Sequence, residues 1–118
     1  MTEIALSALT RPRTDEIKIA ICEHFGLRLS DMTSSRRDRH IARPRQLAMY
    51  LCRELTDRSL PEIGRLFGGR DHTTVLYARR KILRLFETDA DLTVAMLKVC
   101  CRVGDLVVAR NRALGLLQ

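Results

Sequence analysis

Residues 70–74 read Arg-Asp-His-Thr-Thr. Five consecutive side chains here can donate or accept hydrogen bonds. Gly68-Gly69 precedes them and an apolar periodicity follows at Val75, Ala78, Ile82 and Leu85. A helix whose first turn is this polar cannot bury that turn. It suits reading base edges in a DNA major groove, with the apolar stripe behind it facing a core. His72 can donate or accept at a purine edge, Asp71 can accept from a cytosine amino group, and the methyls of Thr73 and Thr74 can touch thymine C5 methyls.

The charge distribution fits a polyanion partner. The chain has 118 residues and a formal net charge of +7. Residues 1–35 hold four Lys/Arg and five Asp/Glu, residues 36–84 hold thirteen and five, and residues 85–118 hold four and four. The positive excess therefore lies around the polar helix start, where it favours nucleic acid first and an anionic membrane second. No stretch is long enough to span a membrane and none reads as a secretion signal, so a cytoplasmic, nucleoid-associated protein is expected.

The length suits one domain, and the 46% apolar content with 4% aromatics implies an aliphatic core. Residues 1–13 read as a tail. A first helix should start at Thr14 or Asp15, bury Ile17, Ile21 and Phe25, and stop at Gly26. A short helical turn follows near residues 30–33, then a polar, basic loop from Ser34 to His40. Pro44 is expected at the first position of the next helix, which buries Leu47, Ala48, Leu51 and Leu55. Ser59-Leu60-Pro61-Glu62 is a capping box with proline in the first turn. The brief helix it opens turns Ile63, Leu66 and Phe67 inward and ends at Gly68-Gly69. Asp71 caps the next helix, so the two form a helix-turn-helix. Thr73, Thr74, Tyr77, Arg80, Lys81 and Arg84 lie off its apolar stripe. The fold class expected is all-α, with no sheet.

A last helix from about Asp89 spaces Leu92, Met96, Val99, Val103, Leu106, Arg110, Ala113 and Leu117 alternately by four and three, a heptad pattern. It either packs on its own domain or pairs with a partner, and a homodimer through residues 92–117 is one expectation. Cys22, Cys52, Cys100 and Cys101 lack metal-ligand spacing and read as reduced thiols, three of them helix-interior. His24, His40 and His72 show no ligand spacing either, so no metal and no cofactor are expected. Adjacent Asp71 and His72 should not face each other on a helix, and no nucleophile–base set is suggested. No enzyme and no small-molecule substrate are expected.

From Ser35 to Ile82 the chain resembles the C-terminal DNA-binding domain (domain IV) of the bacterial chromosomal replication initiator, DnaA. The matching stretches are Arg36-Arg37, residues 42–46 (Ala-Arg-Pro-Arg-Gln), Glu54-Leu55-Thr56, residues 59–64 and above all residues 67–76. The resemblance implies a Trp-repressor-like helix-turn-helix bundle of about six helices, here with an extended C-terminal helix, that binds a short asymmetric DNA box as a monomer. It implies minor-groove contact by Arg37 and base contacts by Asp71, His72, Thr73 and Thr74. Backbone contacts fall to Arg36, Arg45, Gln46, Arg53, Leu60, Pro61 and Arg70. The family most often carries Lys at position 53 and His at position 77, where this chain has Arg53 and Tyr77. Arg53 keeps the charge a phosphate contact needs, and Tyr77 could alter a backbone contact. No G-x-x-x-x-G-K-[ST] phosphate loop occurs in the 118 residues. The expectation is a stand-alone box-binding regulator of replication or transcription without an ATPase, with domain boundaries at 14–87 and 88–118. The alternative is an interaction or dimerisation module with secondary DNA binding, such as a mobile-element transcription regulator.

Overall fold

The computed structural model describes residues 11–116. Its elements are α1 (Thr14–Phe25), a 3-10 turn (Leu29–Met32), α2 (Arg39–Leu55), α3 (Leu60–Leu66), α4 (His72–Leu85) and α5 (Ala90–Ala113). The described residues contain no strand, and the all-α expectation holds. The first ten residues of the expected tail, and Leu117, lie outside the described residues.

Local signals set most boundaries. At the start of α1 the Glu16 carboxylate accepts from the Arg13 backbone N–H at 2.8 Å. Gly26 closes the helix with φ +67°, a left-handed conformation that glycine adopts without a Cβ penalty. The α3 capping box forms as its sequence implies. Ser59 Oγ accepts from the Glu62 backbone N–H at 3.3 Å, and Glu62 Oε1 accepts from the Ser59 N–H at 3.3 Å.

Helix α2 departs from expectation. It begins at Arg39, so Pro44 lies inside it and the preceding loop shortens to residues 34–38. The backbone N–H groups of Ile41 and Ala42 donate to the Asp38 carbonyl at 2.9 and 2.7 Å, which closes a helical turn ahead of the proline. Ile41 is 1% exposed, and its burial draws that turn onto the core. Pro44, in the second turn of α2, has no N–H to donate to the His40 carbonyl, so one i→i−4 bond is left unmade there.

The core joins Ile17 and Ile21 of α1, Leu47, Leu51 and Cys52 of α2, Ile63 of α3, Phe67 behind it, and Val75, Ala78 and Ile82 of α4. Phe67 is fully buried and the Lys18 ammonium lies 4.6 Å from its ring centroid. Helix α4 packs on α2 and α3, which sets the polar helix start at the molecular edge.

Helix α5 packs along α1. Arg102 Nε donates to Glu23 at 2.8 Å and Arg110 Nε lies 3.1 Å from Glu16, so the two helices run antiparallel. The buried residues of α5 are Leu92, Ala95, Val99, Val103, Val107 and Asn111. This register corrects the heptad pattern. After Ala95 the buried positions recur every four residues, Met96 and Leu106 sit at the edge, and Ala113 is exposed. Leu92, Val99 and Val103 are committed to the chain's own fold, so a dimer through those residues is not available.

Candidate nucleic-acid interface

The turn between α3 and α4 is held by glycine at close approaches. The Arg70 backbone N–H donates to the Gly64 carbonyl at 2.8 Å. A Cβ on Gly64 would sit 2.1 Å from the Arg70 carbonyl oxygen, so only glycine lets α3 and the turn come this near. Gly68 has φ +89°, and a Cβ there would meet the Thr33 carbonyl oxygen at 2.4 Å. The turn is thereby pressed against the residues that follow the 3-10 turn.

Helix α4 opens with Asp71 as its cap. Asp71 Oδ1 accepts from the Thr73 backbone N–H at 2.9 Å and from Thr73 Oγ1 at 3.1 Å. The backbone N–H holds the Asp71 carboxyl below its usual range. His72 Nδ1 lies 3.0 Å from Asp71 Oδ1, although these neighbours were expected to point apart. The reason is that Asp71 is the cap, with ψ 149°, and its side chain folds back over the first turn instead of following helical geometry. Asp71, His72, Thr73 and Thr74 are all exposed, forming one polar edge.

The basic loop reaches the same edge. Arg45, only 6% exposed, projects from α2 beneath it. Its guanidinium donates to the carbonyls of Asp31 (3.0 Å), Ser34 (3.1 Å) and Arg36 (2.6 Å). Arg70 donates to the carbonyls of Ser34 and Phe67. Burial first, and for Arg45 the charge of Arg70 second, hold both guanidinium groups below the usual arginine range. In the free chain both arginines, which the resemblance places at the DNA backbone, donate to the chain's own carbonyls.

A groove of about 600 Å³ results, lined among others by Ser35, Arg37, Gln46, Thr74 and Tyr77. Arg37 is exposed on one wall and the α4 residues form the other. The Gln46 side-chain oxygen is buried without a hydrogen-bond partner. Tyr77, 54% exposed, carries the α4 wall one turn beyond Thr74. Sequence reasoning gave Tyr77 only a modifying role, yet its three-residue spacing from Thr74 already placed both on one helix face. Continuing along α4, Thr73, Tyr77, Arg80 and Arg84 line a second groove of about 590 Å³.

The remaining backbone-contact candidates lie around the α3 start. Arg53 and Pro61 are exposed and Leu60 is half-buried. Arg53 and Leu60 line a smaller groove of about 380 Å³ with Leu76, Glu54 and Arg79, where Arg79 Nε donates to Glu54 at 2.8 Å and ties α4 to α2. Arg36 stands apart, exposed and paired with Asp38.

The family model for the bacterial dnaA protein helix-turn-helix matches residues 14–82. The chain belongs to this DnaA helix-turn-helix family. It is 52% identical over 92 residues to the chromosomal replication initiator protein DnaA of Zymomonas mobilis, covering 78% of this chain and 19% of that protein. Against the protein of the same name from Sphingopyxis alaskensis it is 51% identical over 100 residues, 83% of this chain and 22% of the relative. With that of Cereibacter sphaeroides the identity is 59% over 78 residues, 66% of this chain and 17% of the relative. The chain thus spans about a fifth of the length of the curated relatives it matches. The DnaA match covers the glycine turn, the α4 cap and the Arg45–Arg70 clamp together, and it makes this a DNA-binding helix-turn-helix domain. No described helix is long and apolar enough to cross a membrane.

Proposed function

We propose that the chain binds double-stranded DNA sequence-specifically at initiator-type boxes, and that it acts on replication initiation or transcription by occupying them. The observation that carries this reading is the shared groove. Arg37 on the loop and Thr74 and Tyr77 on α4 line one cleft, so a duplex laid across it can be met by both. In this reading α4 enters the major groove, with His72, Thr73 and Thr74 at base edges and Asp71 dividing its carboxylate between cap and base. Arg37 enters the adjacent minor groove, whose negative potential attracts arginine. Arg36, Gln46, Arg53, Leu60 and Pro61 meet the phosphate backbone and fix register. Arg45 and Arg70 act one step back, as positioning residues that hold the loop. The relatives' name, chromosomal replication initiator protein, supports the choice of box. Binding, with no ATP-driven step, is what these residues supply in this reading.

Fluorescence anisotropy on short duplexes with and without an initiator box tests it. A box should bind on the order of 10³-fold more tightly than a scrambled duplex at physiological salt. Equal affinity for the two would overturn the reading.

A further inference from the structure

Helix α5 carries a second apolar stripe opposite the one that packs on α1. Val94, Leu97, Cys101, Gly104 and Val108 recur at alternating spacings of three and four, the period of a two-helix seam. All five are exposed, Val94 at 48%, Leu97 at 56% and Val108 at 43%. Nothing lies within 4 Å of where a Cβ on Gly104 would point, so another backbone could approach closely there.

The charges beside this stripe say what would cover it. Asp91, Lys98, Asp105 and Arg112 follow one another at seven-residue intervals along one flank, with alternating sign, and all four are exposed. We propose that this face docks a second copy of the chain, with the two α5 helices antiparallel. In that arrangement Asp91 of one copy meets Arg112 of the other, and Lys98 meets Asp105, so every flank charge finds its opposite. Leu97 then packs against Val108 of the other copy, and Cys101 against Gly104, in both directions about the two-fold axis. A parallel pair lacks this match, because the positions that would face the charged flank are Thr93, Cys100 and Val107. Shifting the antiparallel register by one heptad sets Asp91 against Asp105 and Lys98 against Lys98, which repels.

Sedimentation equilibrium of the whole chain tests the proposal, with far-UV circular dichroism confirming that each variant is folded. The chain should dimerise, and Leu97→Glu should make it monomeric. Lys98→Asp alone, or Asp105→Lys alone, should raise the dimer dissociation constant roughly tenfold or more, and the double exchange should restore it. The exchange effect should shrink at about 1 M salt, where exposed charges are screened. If Leu97→Glu does not fold, the charge exchanges on the exposed flank carry the test. A chain that stays monomeric at every concentration up to about 100 μM overturns the proposal, whatever else covers the face. So does a dimer indifferent to both single exchanges.

Discussion

The guanidinium groups of Arg45 and Arg70 converge on one atom, the carbonyl oxygen of Ser34. One arrives from the middle of α2 and the other from the turn before α4. The basic loop is therefore fastened to both halves of the reading surface, and its position is set by the same fold that positions α4.

Replacing Arg45 by Met should release two loop carbonyls, of Ser34 and Arg36, and that of Asp31 in the 3-10 turn, and destabilise the chain by about 2–4 kcal/mol in chemical denaturation. If the arginine acts on DNA through the loop, its removal should weaken box binding about as much as Arg37→Ala. The double variant should then bind no worse than either single one. Additive losses would mean that Arg45 touches the duplex itself.

Gly64→Ala tests the close approach of α3 to the turn. A Cβ 2.1 Å from the Arg70 carbonyl oxygen forces backbone to move, and overpacking of this kind costs about 1–3 kcal/mol. Gly69, with φ +72° and open space around it, should cost only the left-handed penalty of roughly 1–2 kcal/mol when changed to Ala. Box affinity should fall for Gly64→Ala beyond what its lower stability explains, because Arg70 moves with the turn. Urea melts paired with anisotropy titrations separate the two effects.

Base readers and phosphate contacts should part under substitution. His72→Ala and Thr73→Ala should each lose about 1–3 kcal/mol on the box and little on scrambled DNA. Arg53→Ala should weaken both duplexes alike and lower the salt slope by about one. A uniform loss at position 72 would remove it from the base-reading set.

The Asp71 cap implies a pH signature. Its folded carboxyl lies below the ordinary 3.8, chiefly because the Thr73 backbone N–H donates to the ionised form. The stability it contributes is therefore present above 3.8 and is lost as pH falls through the lower folded value. Asp71→Asn, which keeps a capping oxygen without the charge, should flatten this part of the acid limb. Thermal melts of both chains between neutral pH and about pH 3 would measure it.

Two thiols should be silent in the native state. Burial pushes the Cys52 thiol up to about 12, and burial likewise raises Cys22. A disulfide reagent at about pH 8 should reach both only after denaturant unfolds the chain, because thiolate is the reactive species. Rapid native labelling of Cys52 would contradict the packing of α2 against α1.

Local chemistry made much of the fold and the reading edge legible in the sequence. The Ser59–Glu62 box, the Asp71 cap and the stop at Gly26 each depend on residues within a few positions of one another, so spacing alone implies them. The polar run at 70–74 declared an exposed helix start, and Thr74 to Tyr77 declared a common face. Where local and distant forces compete, the sequence pointed the wrong way or stayed silent. Pro44 argued for a late α2 start, and the burial of Ile41 overrode it. Heptad spacing in α5 suggested a partner face along Leu92, Val99 and Val103, but α1 already occupies it and leaves Val94, Leu97 and Val108 outward. Arg45 and Arg70, which the resemblance places at the DNA backbone, also hold the loop of the free chain, and nothing in the local sequence marks that second partner. Only the tertiary structure brings the Ser34 carbonyl, 36 residues before Arg70, within reach. That carbonyl accepts from both guanidinium groups, which fastens the loop to α2 and to the turn before α4 at once.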